Sequence, residues 1–398
     1  MTTHRSALRT FALSSFLVAV PFHVALAQDA AAVGERLKAA FAGQGIEISF
    51  SGISGDGSEM VLADTVFAVT GVPTKTPLGN VTLSDITEDD GAYTIGKVTL
   101  PDYSMSEDGA TVDVKGISLT GLRLPAEGDT DPIAALMLYD TADLASLTVR
   151  IGDKTPFSMN QLHFEITAPE NGEPMEFTGA AEKFTADLSM VEDAEAKKTM
   201  DALGYKTLNG YFELAGSWQP TDGRLELSQY DISIENAGTI GFTFDLGGYT
   251  PDFIKAMQKM QKDMANQPAG GDNSAQGLAM LGLMQQLSFH SASLRFDDDS
   301  LTGKALEFLA AQQGMKGADL ANQAKAIVPF LMAQLNNPDL TTQVTAAVTA
   351  YLDDPKSIEV VAEPENGVPF AVIMAGAMSP SPQDLLKTLA VSVSANED

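Results

Sequence analysis

The stretch Ile232-Ser233-Ile234-Glu235-Asn236-Ala237-Gly238-Thr239-Ile240-Gly241-Phe242-Thr243-Phe244-Asp245-Leu246 decides how this chain is read. Apolar residues occupy every second position on both sides of Asn236-Ala237-Gly238. A period of two belongs to a strand with one buried face, whereas a helix repeats every 3.6 residues. An Asn/Gly tip between two such runs predicts an antiparallel hairpin.

The same grammar runs outward from that hairpin to about Gly45. Alternation recurs at Ile46, Ile48 and Phe50, at Val81 and Leu83, at Val112 and Val114, at Leu162, Phe164 and Ile166, and at Phe184, Ala186 and Leu188. Between the runs stand Ser54-Gly55-Asp56-Gly57, Asp89-Asp90-Gly91, Glu107-Asp108-Gly109, Pro169-Glu170-Asn171-Gly172 and Thr221-Asp222-Gly223. Short spacing between such tips favours hairpins over crossover helices. The phase slips by one at Ile95 to Val98, Val114 to Ile117 and Leu227 to Tyr230, which predicts bulges and a curled sheet. Helical breaks are expected at Pro132 to Leu138 and at Val191 to Leu203, the second with acids at its start and Gly204 at its end.

After Thr250 the period becomes 3.6. Phe253, Met257, Met260 and Met264 share one helical face behind a Thr250-Pro251-Asp252 start. Asn266 to Ser274 reads as a linker, followed by a Met-rich helix over Ala275 to Leu287 and a strand over Ser288 to Phe296. Helices are predicted at Thr302 to Gln313, at Ala318 to Leu335 with a kink at Pro329, and at Leu340 to Leu352. In the second of these, Leu320, Ala324, Ile327, Leu331 and Leu335 form a core-facing stripe. Alternation returns at Ile358 to Val361, Phe370 to Ile373 and Leu389 to Val393. The expected fold is therefore α+β: a long curled antiparallel meander over residues 28–249, a helical cluster with one strand over 250–355, and strands with a short helix over 356–398 that pair back onto the sheet.

Residues 1–27 carry His4, Arg5 and Arg9, an apolar run from Phe11 to Val20, and Ala25-Leu26-Ala27, the pattern of a cleaved secretory signal peptide. The run is about half the length of roughly 20 residues that a bilayer core requires. No later stretch is long and apolar enough to span, Ala371 to Met378 being the best candidate. Cleavage would remove two arginines and no acid, moving the net charge from -29 to -31. The absence of Cys excludes disulfides and thiol chemistry and agrees with a bacterial periplasmic address, with release to the medium as the second choice. Strong acidity argues against nucleic acid and anionic membrane surfaces.

Catalytic constellations are scarce. Beyond the leader only His163 and His290 remain, both in strand patterns, and no G-x-S-x-G, S-x-x-K, P-loop or G-x-G-x-x-G string occurs. Two scattered His do not anchor zinc. Glu127, Asp129 and Asp131, and Asp297 to Asp299, lack EF-hand spacing; Asp298 or Asp299 suits the cap of the next helix. Trp218 before an Asp-Gly turn suits the end of a sheet. No cofactor is expected. The remaining lead is apolar: Met257, Met260, Met264, Met280 and Met284 lie on the two helices around the linker, where flexible thioethers suit a varied apolar ligand, the alternative being a plain core stripe.

The tail Tyr351-Leu352-Asp353-Asp354-Pro355-Lys356-Ser357-Ile358, with Pro364, Val368-Pro369-Phe370, Pro382 and Leu389-Ala390-Val391, resembles that of exported alphaproteobacterial proteins of unknown function. The run of Asp-Gly-tipped strands is similar in architecture to AsmA-like envelope proteins, a resemblance that implies a curved sheet forming a lipid-handling groove. The reading is a non-enzymatic periplasmic envelope protein that binds a lipid or other apolar ligand between sheet and helices. Its alternatives are a structural subunit bound to another envelope protein, and a hydrolase using carboxylates or a Ser/His pair.

Overall fold

The computed structural model describes residues 30–397, apart from 57, 71, 73, 130, 132, 135–137, 170–171, 266–273, 380 and 382. The expected signal peptide, almost all of the linker and most of the break at 132–138 lie outside the described residues. Contacts divide the chain into two units, residues 1–184 and 185–398. Every strand pair whose register is defined is antiparallel. The expected α+β meander is what the chain forms.

The first unit begins with helix α1 (Ala30–Gly43) and continues through β1 (Ile46–Ser49), β2 (Gly52–Asp56), β3 (Glu59–Val69), β4 (Lys75–Asp89), β5 (Ala92–Thr99), β6 (Tyr103–Glu107), β7 (Ala110–Leu124), β8 (Thr141–Ile151) and β9 (Lys154–Thr167). Strand β3 pairs with β1, β2 and β4, and the ladder then runs β4, β5, β7, β8, β9, with β6 against the start of β7. Strand β10 (Met175–Asp187) contains the division between the units.

The core of this unit joins Met60, Leu62, Val81, Leu83, Ile95, Val98, Leu122 and Leu124 from the sheet to Val33 and Leu37 of α1. Met60, Leu83, Ile95 and Val33 have no solvent exposure. Each such side chain contributes roughly 1.5–3 kcal/mol on burial. Helix α1 is absent from the sequence reading, which placed only strands and short breaks before Thr250. Arg36 on α1 donates to the carbonyl of Pro125 at 3.1 Å, tying the helix to the chain just beyond β7.

Two of the predicted bulges take a different form. Ile95 faces Ile86 and Leu122, and two residues later Lys97 faces Ser84 and Thr120, so no residue is gained on either strand. Likewise Lys115 faces Ser146 and Ile117 faces Leu144. The side-chain phase changes where one partner of a pair enters the left-handed region: Asp85 adopts φ 54° opposite Gly96, and Gly116 adopts φ 63° opposite Ala145. A Cβ on Gly96 would lie 2.6 Å from that of Asp85, which is why the position carries no side chain. The third slip is a true bulge, since Leu227 faces Phe244 while Asp231 faces Gly241.

In the second unit, helix α2 (Ala194–Leu203) is capped by Asp193, which accepts the Ala196 N–H at 2.7 Å, and ends at Gly204 in the left-handed region. Strands β11 (Thr207–Gln219), β12 (Arg224–Ile234) and β13 (Gly238–Gly247) lead to α3 (Pro251–Ala265), α4 (Ser274–Met284) and β14 (Ser288–Asp298). Then come α5 (Leu301–Gln312), α6 (Gly317–Ala333), α7 (Pro338–Asp353), β15 (Ser357–Ala362), β16 (Val368–Pro369), α8 (Phe370–Ala377), α9 (Asp384–Thr388) and β17 (Val391–Ala395). The ladder is β11, β12, β13, β14, β15, β17, with β16 beside the start of β14.

Phe370 to Ile373, expected as a strand, forms α8. The run Phe370 to Ala377 contains no polar side chain, so its periodicity does not distinguish strand from helix. Pairing to β14 stops at Pro369, which cannot donate to a ladder. The hairpin tip at Asn236 is gripped by its neighbours. The Asn236 carbonyl accepts Tyr205 Oη and Lys304 Nζ, each at 2.7 Å, and the Ala237 carbonyl accepts the N–H groups of Asp299, Ser300 and Leu301. Asp298 caps α5 through the Thr302 N–H at 2.7 Å, and Trp218 is buried at its strand end, donating to the Tyr249 carbonyl at 2.8 Å.

Burial separates core from surface for a stability test. Leu83→Ala is expected to lower unfolding free energy by about 2–5 kcal/mol in urea titrations. Leu294→Ala, at a half-exposed position of the second unit, is expected to stay within about 0.5 kcal/mol of the parent protein.

Candidate functional site

Alternation sorts the side chains of the second sheet into two unlike faces. Ile240, Phe242 and Phe244 on β13 align with Phe296, Leu294 and Ala292 on β14, then with Ile358, Val360 and Ala362 on β15, and with Ala395, Val393 and Val391 on β17. Every member of this twelve-residue block is apolar. The opposite face carries Asp245, Arg295, Asp297 and Glu359 with Thr243 and Ser293, whose hydroxyls meet at 2.8 Å.

The apolar face is open along its middle. Ile240 is 50% exposed, Leu294 54%, Val360 41% and Phe242 38%. In register, Phe242 faces Leu294, Leu294 faces Val360, and Val360 faces Val393, making a row across four strands. Tyr230 extends it onto β12, one position before the Asp231–Gly241 pair, and its phenol is not hydrogen-bonded among the described residues. At about 4.8 Å per strand step, the row is roughly 19 Å long. In the first unit the corresponding apolar side chains are sealed against α1; here a continuous row meets solvent.

The five methionines singled out from sequence stand on two helices beyond the Gly247/Ser288 end of this sheet. Met260 is buried and Met257 half-buried on α3, on the same side as buried Phe253; Met264 lies one turn further along that helix. Tyr249 packs its ring 5.5 Å from that of Phe253. Met280 and Met284 on α4 are half-buried, while Leu278 and Leu281 on the same helix are exposed. Helix α4 packs against α3 and α8. The exposed sheet row was missed because strand alternation reports which residues share a face, not whether anything covers it.

The titratable candidates fall into two pairs. His163 Nδ1 meets Asp143 Oδ1 at 2.7 Å across β8 and β9, both side chains being exposed in the first unit. His290 Nε2 meets Ser288 Oγ at 3.0 Å in the second unit. His290 is the extra residue of a bulge, since Asp245 faces Ser291 and Leu246 faces Phe289. No acid hydrogen-bonds His290 among the described residues. Its ring instead lies over Gly367, where a Cβ would come within 2.6 Å of Cε1. Asp129 and Asp131 accept backbone N–H groups two residues on, and Asp297 pairs with Arg295, so these acids serve turns and ion pairs. Among the described residues no three His, Asp or Glu side chains converge in a manner that would hold a metal.

A second apolar surface lies on the helices. Between α6 and α7 is a groove of about 630 Å³ lined by Pro329, Thr341, Thr342, Thr345, Ala346, Thr349 and Ala350. Thr345 and Thr349 donate to the carbonyls four residues back, each at 2.7 Å, and Thr341 does so at 2.8 Å, so their hydroxyls are spent within the helix. On α6, Ile327 is 53% exposed, Leu331 55% and Phe330 76%. The predicted core stripe is thus corrected in its second half: α6 buries Gly317 and Ala321 near its start, whereas Ile327 and Leu331 face solvent. Helix α6 runs through Pro329 as one element.

A family model described as "Uncharacterized protein" matches residues 231–396. The similar stretch runs from β12 to the end of β17 and includes Ile240, Phe242, Leu294 and Val360. No curated protein matches the chain. No helix among the described residues is long and apolar enough to cross a membrane.

The contact between His290 and Gly367 is open to a double-mutant cycle. Gly367→Ala is expected to destabilise the protein by about 1–3 kcal/mol, because the added methyl meets the imidazole ring. In a His290→Ala background the same change is expected to cost at least about 0.5 kcal/mol less, read from thermal or urea unfolding.

Proposed function

We propose that the protein is a non-enzymatic component of the bacterial envelope, exported to the periplasm, that holds a lipid or similar apolar molecule on the sheet face of its second unit. The observation that carries this reading is the in-register row Phe242, Leu294 and Val360, extended by Ile240, which is apolar and partly exposed. Exposed apolar side chains scattered singly are ordinary, but a contiguous apolar patch on one sheet face marks an interaction surface. An elongated row suits an extended chain lying across the strands. Half-buried Met280 and Met284 offer adaptable thioether contacts beyond one end. The lack of an acid on His290 among the described residues supports binding over hydrolysis there.

A second reading is supported by the α6 surface. Phe330, Ile327 and Leu331 stand exposed on a stretch, Ala326 to Asn337, that has no charged residue in a chain carrying 53 Asp+Glu and 24 Lys+Arg. Such a surface suits another envelope protein.

Native mass spectrometry of protein purified from its own periplasm tests the first reading and is expected to reveal a co-purified lipid. Leu294→Asp is expected to reduce binding of a fluorescent apolar probe by about tenfold or more while leaving the unfolding midpoint nearly unchanged. Absence of lipid, together with probe binding indifferent to Leu294→Asp, would overturn it. Loss of a cross-linked protein partner on Phe330→Asp would favour the second.

A further inference from the structure

We infer that the ligand of this sheet face is an uncharged long-chain lipid, an inference that rests on the apolar-face reading above. Residues 185–398 carry 13 Lys+Arg against 28 Asp+Glu, so an anionic headgroup would enter a repulsive field. The face itself offers no cation. Arg295 points to the opposite side of the sheet, where it pairs with Asp297 at 2.8 Å and Glu359 at 3.6 Å.

Several cations around the sheet are also committed. Arg224 pairs with Asp245, Lys325 with Asp353, and Lys356 with Asp354 at 2.7 Å. Lys304 donates to the Asn236 carbonyl and to Tyr205 Oη at 3.1 Å. Acids stand at both strand ends: Glu235 and Asp299 near the Gly238 end, and Glu363 and Glu365 following β15 at the other. Lys387 on α9, shortly before β17, and exposed Lys255 on α3, which follows β13 at the same end, are cations that an anionic headgroup could recruit there, and Asp384 and Asp252 share their helices. By contrast, the Tyr230 phenol at the end of the row both donates and accepts, which suits a hydroxyl or ester headgroup.

The test uses the full chain and three displacers of one chain length, hexadecanol, hexadecanoate and hexadecylamine, competing with bound N-phenylnaphthylamine at neutral pH. Hexadecanol is expected to displace the probe, and hexadecanoate to do so about tenfold more weakly, with the gap narrowing at high salt. Hexadecanoate binding as tightly as hexadecanol, or tightly in a manner lost in Lys387→Ala, would overturn the inference while leaving the apolar site standing. Hexadecylamine binding more than about tenfold tighter than hexadecanol would overturn it in favour of a cationic ligand. If no displacer competes and Leu294→Asp leaves probe binding unchanged, the apolar-face reading itself falls.

Discussion

Antiparallel backbone pairing is the constraint from which the other features follow. Each strand must satisfy its N–H and C=O groups on its neighbours, and once register is set, every side chain is committed to one face or the other. Phe242 opposite Leu294, and Leu294 opposite Val360, are consequences of that pairing. The two units solve the resulting problem of an apolar face differently. In the first, α1 lays Val33 and Leu37 against Met60, Leu83 and Ile95. In the second, helices are numerous but the middle of the apolar face keeps its exposure, α7 packing along β17 and β15 and α9 against β17. An open apolar face costs solubility, and the strongly acidic remainder of the chain offsets that cost.

Much of the architecture was legible because local signals and tertiary demands agreed. Asp193 and Gly204 bracket α2 as a cap and a left-handed stop should, and Asn337 caps α7 through the Leu340 N–H. The hairpin around Asn236-Ala237-Gly238 was readable from alternation alone. Helix α1 escaped because its apolar residues are mostly alanine, which leaves the 3.6-residue period faint. Helix α8 escaped because an unbroken apolar run has no period. The phase slips at Gly96 and Gly116 were readable, but a single strand cannot report what its partner does at the same level, so bulges were expected where pairing stays one-to-one.

The candidate site was less legible than the fold. The Met-rich helices drew attention through composition, yet on α3 the buried Phe253 and Met260 share their face with Met257. The residues that make the open row, Ile240, Phe242, Leu294 and Val360, look like ordinary core positions in sequence. What distinguishes them is the lack of a covering element, a property of the assembled unit. Ile327 and Leu331 illustrate the same limit on a helix, where a clean 3.6 period ends in solvent.

The creases where Asp85 faces Gly96, and where Gly116 faces Ala145, carry a consequence for how this sheet tolerates change. A bulge on one strand absorbs an inserted residue and leaves the neighbour alone. A crease shared by two strands has no such slack, because both chains reverse their inside and outside at the same level while keeping one-to-one pairing. Deleting one residue beside such a crease would turn the remainder of that strand inside out against an unaltered partner. Length at these points is therefore coupled between segments distant in sequence, and change there has to come in matched pairs.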